Sequence, residues 1–287
     1  MLNKFYLIDN GRIENSIGNI ANILRKEELY KALSIFYTLQ AGLIAPNTAI
    51  LLNMDIRVVK MLIDMWGLPL MIRLDYQSLK SKKPIGGIPL KSLSTIVSVS
   101  DFLHKGSFIP ILHPNLDRMD DIYSAGILLN LNNDLVHFEF VGKGFDASDL
   151  RLGFSTPHEH FDYDLAENKI LKRSIISESE YDIERYRRQN KLHNLNKYVE
   201  YVNQRGSLLD NLDRFDSKDE DLIPSILPYE YTPIPKRIFD DLTLIAMLIK
   251  NKVIVELPIS DHYIISLSYM KKYGWVLWDI YGSWFNR

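Results

Sequence analysis

The stretch Asp121-Ile-Tyr-Ser-Ala-Gly-Ile-Leu-Leu-Asn-Leu-Asn-Asn-Asp-Leu-Val-His-Phe-Glu-Phe-Val141 reads as two apolar strands around a polar turn at Asn130–Asp134. So short a connection requires antiparallel pairing, because a parallel return needs a crossover of about a dozen residues or more. The same pattern recurs downstream. Phe161–Leu171 continues the sheet around a turn at Glu167-Asn-Lys169, and Tyr263–Tyr269 and Trp275–Tyr281 are joined by Met270-Lys-Lys-Tyr-Gly274. Upstream the text is more helical. Residues 12–45 carry Ile17, Ile20, Ala21, Leu24, Leu29, Ala32, Leu33, Phe36 and Leu39 at three- and four-residue steps, which predicts a helix ended by Gly42. Ile56–Trp66, Leu93–His104 and Arg237–Lys250 are further helices, and Ala49–Leu52, Leu70–Leu74 and Phe108–His113 are short strands. The order predicts an α+β fold of two lobes, residues 1–107 and 108–287, rather than a regularly alternating doubly wound sheet. Within the second lobe, 179–205 is charged and helix-permissive, and Asp210–Asp221 is an acidic connection.

Composition removes several classes of function. Lys and Arg number 34 against 36 Asp and Glu, so the formal charge of -2 gives no reason to expect a nucleic-acid partner. Without cysteine there is no disulfide, thiolate-bound zinc, iron–sulfur cluster or Cys nucleophile. Leu242–Ile249, the longest strongly apolar run, falls far short of the roughly 20 residues of a membrane span. The N-terminal residues lack the apolar core of a secretory signal, so the expectation is a cytoplasmic protein with no membrane partner.

Arg73 stands near the end of the apolar strand Met71-Ile-Arg-Leu-Asp75, where a guanidinium presents a planar fork to phosphate or pairs with a carboxylate such as Asp75. Gly86-Gly87 follows Lys80, Lys82 and Lys83 between two prolines; it is an anion-holding nest of N–H groups or a plain turn. The loop Gly142-Lys-Gly-Phe-Asp-Ala-Ser-Asp-Leu-Arg-Leu-Gly153 follows a strand containing Glu139 and brings Asp146 and Asp149 into one bend, for chemistry or for capping. His158-Glu-His160 has the spacing that puts both rings on one strand face; an exposed polar strand explains it more simply than a metal. No Walker-type, GxGxxG or GxSxG pattern occurs.

In order along the chain, these pieces resemble the nucleotide-binding domain of phosphoenolpyruvate synthase and pyruvate phosphate dikinase, within the ATP-grasp group. Lys31, its apolar helix and Ala41-Gly-Leu-Ile-Ala-Pro46 are similar to the family's phosphate-binding lysine, helix and AGxxVP-like ending. Met71-Ile-Arg-Leu-Asp75 resembles its VRSS strand, and Gly86-Gly87 falls at its phosphate loop. Ile109-Pro-Ile-Leu-His113 resembles its strand into the adenine-facing hinge, with His113 replacing a usual glutamine. Tyr123-Ser-Ala-Gly126 resembles SGVxFT, and Gly142–Pro157 resembles GLGExxVxGxVTP. Ile264–Ser268 and Val276–Ile280 resemble the closing strand pair.

The resemblance implies a two-lobed ATP-grasp-like fold with a nucleotide cleft. Lys31 and Arg73 would carry phosphoryl transfer and, with Gly86, Gly87, Ile111, Leu112, His113 and Glu139, bind ATP. Asp279, Asp146 and Asp149 would hold Mg2+. The family's magnesium-binding glutamate falls near Ser266, and the expectation is a chain without the family's phosphohistidine domain. The implied function is phosphoryl transfer, or ATP-dependent carboxylate activation, on a small-molecule or protein acceptor. Alternatives are a degenerate nucleotide-binding or regulatory module without turnover, and a structural protein using 179–221 as a partner-docking arm.

Overall fold

A computed structural model describes residues 5–8, 17–53, 55–75, 88–105, 109–114, 116, 121–142, 157–176 and 232–282. The expected Gly86-Gly87 nest, Asp146, Asp149 and the charged arm 179–221 lie outside the described residues. The described parts form two antiparallel sheets with helices packed against them, as the α+β reading expects.

The first sheet has the order β1-β2-β5-β3-β4: β1 (Phe5–Ile8), β2 (Thr48–Leu51), β5 (Ile109–Pro114), β3 (Leu70–Asp75) and β4 (Ile88–Leu90). One face, with Leu51, Leu70, Ile72 and Leu112, packs on α3 (Ile56–Trp66) and α4 (Leu93–Lys105) through Val59, Leu62, Ile96 and Val99. Asp55 caps α3 by accepting a hydrogen bond from the Arg57 backbone N–H at 2.9 Å, and Gly67, at φ 77°, ends it. The opposite face, with Ile50, Ile109 and Ile111, joins a larger core shared with α1 (Ile17–Lys26), α2 (Tyr30–Gln40) and the second sheet. The chain passes from one sheet to the other between Pro114 and Asp121, so β5, which follows the expected 107/108 boundary, belongs to the first sheet.

The single helix expected over 12–45 is two helices. The chain breaks at Glu27–Leu29, where Glu28 takes a left-handed φ of 55° and Leu29 is completely buried. Apolar spacing continues through the break because both helices bury their stripes in the same core, so periodicity alone did not reveal the turn.

The second sheet has the order β11-β10-β6-β7-β8-β9, made from β6 (Asp121–Asn130), β7 (Leu135–Gly142), β8 (Glu159–Asp164), β9 (Lys169–Ile175), β10 (His262–Met270) and β11 (Gly274–Tyr281). Alternate residues Ala125, Ile127, Phe138, Phe140, Phe161, Tyr263 and Ile265 face its core. Phe239 of α5 (Lys236–Leu248) stacks on Phe161 at 4.3 Å between ring centroids and meets Phe138 edge-on at 5.3 Å.

The exposed polar strand expected around His158 and His160 is corrected by this packing. His158 and Glu159 are fully buried. Glu159 Oε1 accepts from Arg173 Nε and Nη2 at 2.7 and 2.6 Å, and its Oε2 accepts from the Ile234 N–H at 2.9 Å. Three donors compensate the buried carboxylate and tie β8 to β9 and to the chain entering α5. Among the described residues no group of three His, Asp or Glu side chains is arranged to hold a metal ion.

Candidate functional site: a buried Lys–Arg–Asp junction

Three elements distant in sequence deliver three charged groups to one point. Lys31 lies in the first turn of α2, Arg73 on β3 and Asp279 on β11. Lys31 Nζ stands 3.3 Å from Asp279 Oδ1, and Arg73 Nη1 stands 3.2 Å from Asp279 Oδ2. Their side chains are only 6, 13 and 10% exposed, respectively, so this is a junction removed from bulk water rather than a surface pair. Tyr281 donates its hydroxyl to Asp279 Oδ2 at 2.8 Å.

Local geometry explains the aim of these groups. In β10–β11 pairing Ser266 faces Asp279 and Leu267 faces Leu277, leaving Trp278 as the extra residue of a bulge. The Trp278 carbonyl accepts from Arg73 Nη1 at 3.3 Å, and the guanidinium carbon lies 5.6 Å from the Trp278 ring centroid. Arg73 is therefore held end-on by one nitrogen. Among the described residues its Nε and Nη2 make no hydrogen bond.

His113 borders the same junction. On paired strands β3 and β5, Arg73 stands opposite Ile111 and Met71 opposite His113, so Arg73 and His113 are diagonal neighbours on one face. Burial, reinforced by the Arg73 guanidinium and the Lys31 ammonium, pushes His113 down to about 3, so its ring is neutral at physiological pH. The ring is held by Nδ1, 3.2 Å from the Asn47 carbonyl and 3.1 Å from Thr48 Oγ1.

The expected ATP-binding residues divide in the structure. Lys31, Arg73, His113 and Asp279 come together. Ile111 and Leu112 lie beside this junction on β5, which is paired with β2 and β3 on its two sides, and both side chains are fully buried. Glu139 shares a face and a lateral row with Asp279, running Asp279–Ser266–Gly126–Glu139–His160 across the second sheet. Three strand spacings separate the two carboxylates, roughly 14 Å. Glu139 instead accepts from His137, whose other ring nitrogen is 2.7 Å from Asp162 Oδ1.

Of the three carboxylates expected to hold Mg2+, Asp279 alone lies among the described residues. Both its oxygens already face cations, and the residue directly opposite on β10 is Ser266, which brings no second carboxylate. Tyr281 was not singled out from the sequence, although its i+2 position on the Asp279 strand was a usable signal. Trp278 gave none, because a bulge is invisible to strand alternation.

No protein family and no curated protein matches this sequence. Among solved structures the chain is similar to D-alanyl-alanine synthetase A from Vibrio cholerae, at 8% identity and a TM-score of 0.45 over 94% of this chain and 63% of that one. It is similar to carboxyaminoimidazole ribonucleotide synthase from Aspergillus clavatus, crystallised with ATP, at 6% identity and a TM-score of 0.44, covering 89% and 44%. It is also similar to the ATP-grasp ligase PsnB, complexed with a minimal precursor, at 7% identity and a TM-score of 0.38, covering 91% and 53%. The chain thus spans about half the length of the solved structures it matches.

Proposed function

We propose that the chain binds a nucleoside triphosphate, ATP in the first instance, with its phosphates on Lys31 and Arg73, and that it transfers a phosphoryl group or activates a carboxylate on a small-molecule or protein acceptor. One observation carries the reading: two cations, from a helix and from a strand of the first sheet, meet at a single carboxylate on the last strand. A polyanion that replaces or joins that carboxylate finds a point charge and a planar fork already placed. The motif order in which the sequence resembles the ATP-grasp group supports the same reading.

Thermal-shift titration with ATP, ADP and GTP, with and without magnesium, tests the proposal. Saturation to one hundred times Kd stabilises a protein by about 2.7 kcal/mol. A rise in Tm with at least one nucleotide is expected; no rise at millimolar concentration of any of them contradicts it.

A second reading, a nucleotide-binding module without turnover, is favoured by Ser266 facing Asp279, since only one carboxylate remains where a metal-dependent transferase would present two. It expects nucleotide stabilisation with no ADP release across an acceptor screen. Sustained ADP production would decide for the enzyme.

A further inference from the structure

His113 carries a hydrogen-bonding vacancy whose polarity can be deduced. The Asn47 carbonyl only accepts, so Nδ1 of His113 must bear the proton that reaches it. Thr48 agrees: its hydroxyl proton is committed to the Pro46 carbonyl at 2.9 Å, which leaves Oγ1 to accept from the same Nδ1–H. With the ring neutral, Nε2 is a bare lone pair. That nitrogen is buried and has no hydrogen-bond partner among the described residues, in a residue 2% exposed. Buried polar atoms are nearly always paired, so an acceptor left open beside a cation junction calls for a reason.

The neighbour diagonally across the strand pair is Arg73, whose Nε and Nη2 are also open among the described residues. One sheet face therefore presents a donor fork next to a lone acceptor. Such a pair complements an oxyanion that carries an O–H or N–H group nearby, and it discriminates against an anion without one, because the acceptor is then buried unsatisfied.

We propose that His113 Nε2 is a specificity-determining acceptor for a hydroxyl or amine of the ligand whose anionic end is held by Arg73 and Lys31. This rests on the anion-binding reading above and adds to it that phosphate alone is an incomplete ligand. For a nucleoside triphosphate the donor is a ribose hydroxyl or a base N–H.

Calorimetric titration of the full chain with ATP and with inorganic triphosphate, both without magnesium, separates the possibilities. Wild-type protein is expected to bind ATP more tightly than triphosphate. His113→Phe should lose about tenfold in ATP affinity while triphosphate affinity stays the same, and His113→Gln, which keeps an acceptor oxygen, should recover part of the loss. Wild-type protein titrated with 2′-deoxy-ATP, 3′-deoxy-ATP and purine riboside triphosphate needs no variant to fold, and one of the three should bind about tenfold more weakly than ATP. If all three match ATP, or if His113→Phe lowers both affinities equally, Nε2 serves water or packing only and the proposal is overturned. If wild-type protein binds neither ATP nor triphosphate, the anion-binding reading itself has failed.

Discussion

His113 and His137 start from the same ordinary ionisation near 6.5 and are displaced in opposite directions. Burial depresses His113, so as pH falls below 6.5 the unfolded chain takes up a proton that the native ring refuses until about 3. Stability attributable to His113 is therefore complete above 6.5 and drains away toward acid. Hydrogen bonds to Glu139, then Asp162, raise His137; its contribution is complete below 6.5 and is lost as pH rises through the raised value. Urea midpoints measured against pH should show an acid limb that His113→Gln flattens and an alkaline limb that His137→Gln flattens. Limbs unchanged in the variants would contradict both assignments. At this scale the sequence offered Lys31, Arg73, His113 and Asp279 as separate candidates in motif order. Their meeting depends on the β11 bulge and on strand register, which no spacing rule contains.

Among the elements, strands and hairpins were the most legible, because alternation and turn residues are local signals. The expected turns at 130–134 and 270–274 match the β6–β7 and β10–β11 connections within a residue or two. The break between α1 and α2 was not legible, since Glu is an unusual choice for a left-handed residue. Replacing Glu28 by Gly should remove that backbone strain and raise stability by about 1 kcal/mol in urea denaturation. A loss instead would show that the Glu28 side chain holds the turn. Pro110 and Pro114 punctuate a strand that nonetheless lies in the middle of the first sheet, a position the sequence did not indicate. In the second sheet Phe239 anchors α5 against four aromatic neighbours, Phe138, Phe140, Phe161 and Tyr163. Phe239→Ala should cost about 3–5 kcal/mol, visible as a lower Tm, with a small effect counting against the helix as the cover of this sheet.

For the whole molecule, the Lys31–Asp279–Arg73 junction ties the helix after the α1–α2 turn, the first sheet and the last strand of the second sheet together. Truncating either cation leaves Asp279 facing the other, whereas Asp279→Ala leaves two buried cations facing each other. The expected order of destabilisation is Asp279→Ala first, on the order of 3–5 kcal/mol, then Arg73→Ala and Lys31→Ala. Chemical denaturation of the three variants checks the ranking, and a cation variant costing more than Asp279→Ala would reverse it. The measurement that bears most directly on the account is calorimetric titration of ATP into wild-type protein, Lys31→Met and Arg73→Gln, each first shown to melt cooperatively. The account predicts that wild-type protein binds and that each variant loses about tenfold or more in affinity. Equal affinity in all three proteins, or no binding by the wild type, would contradict it.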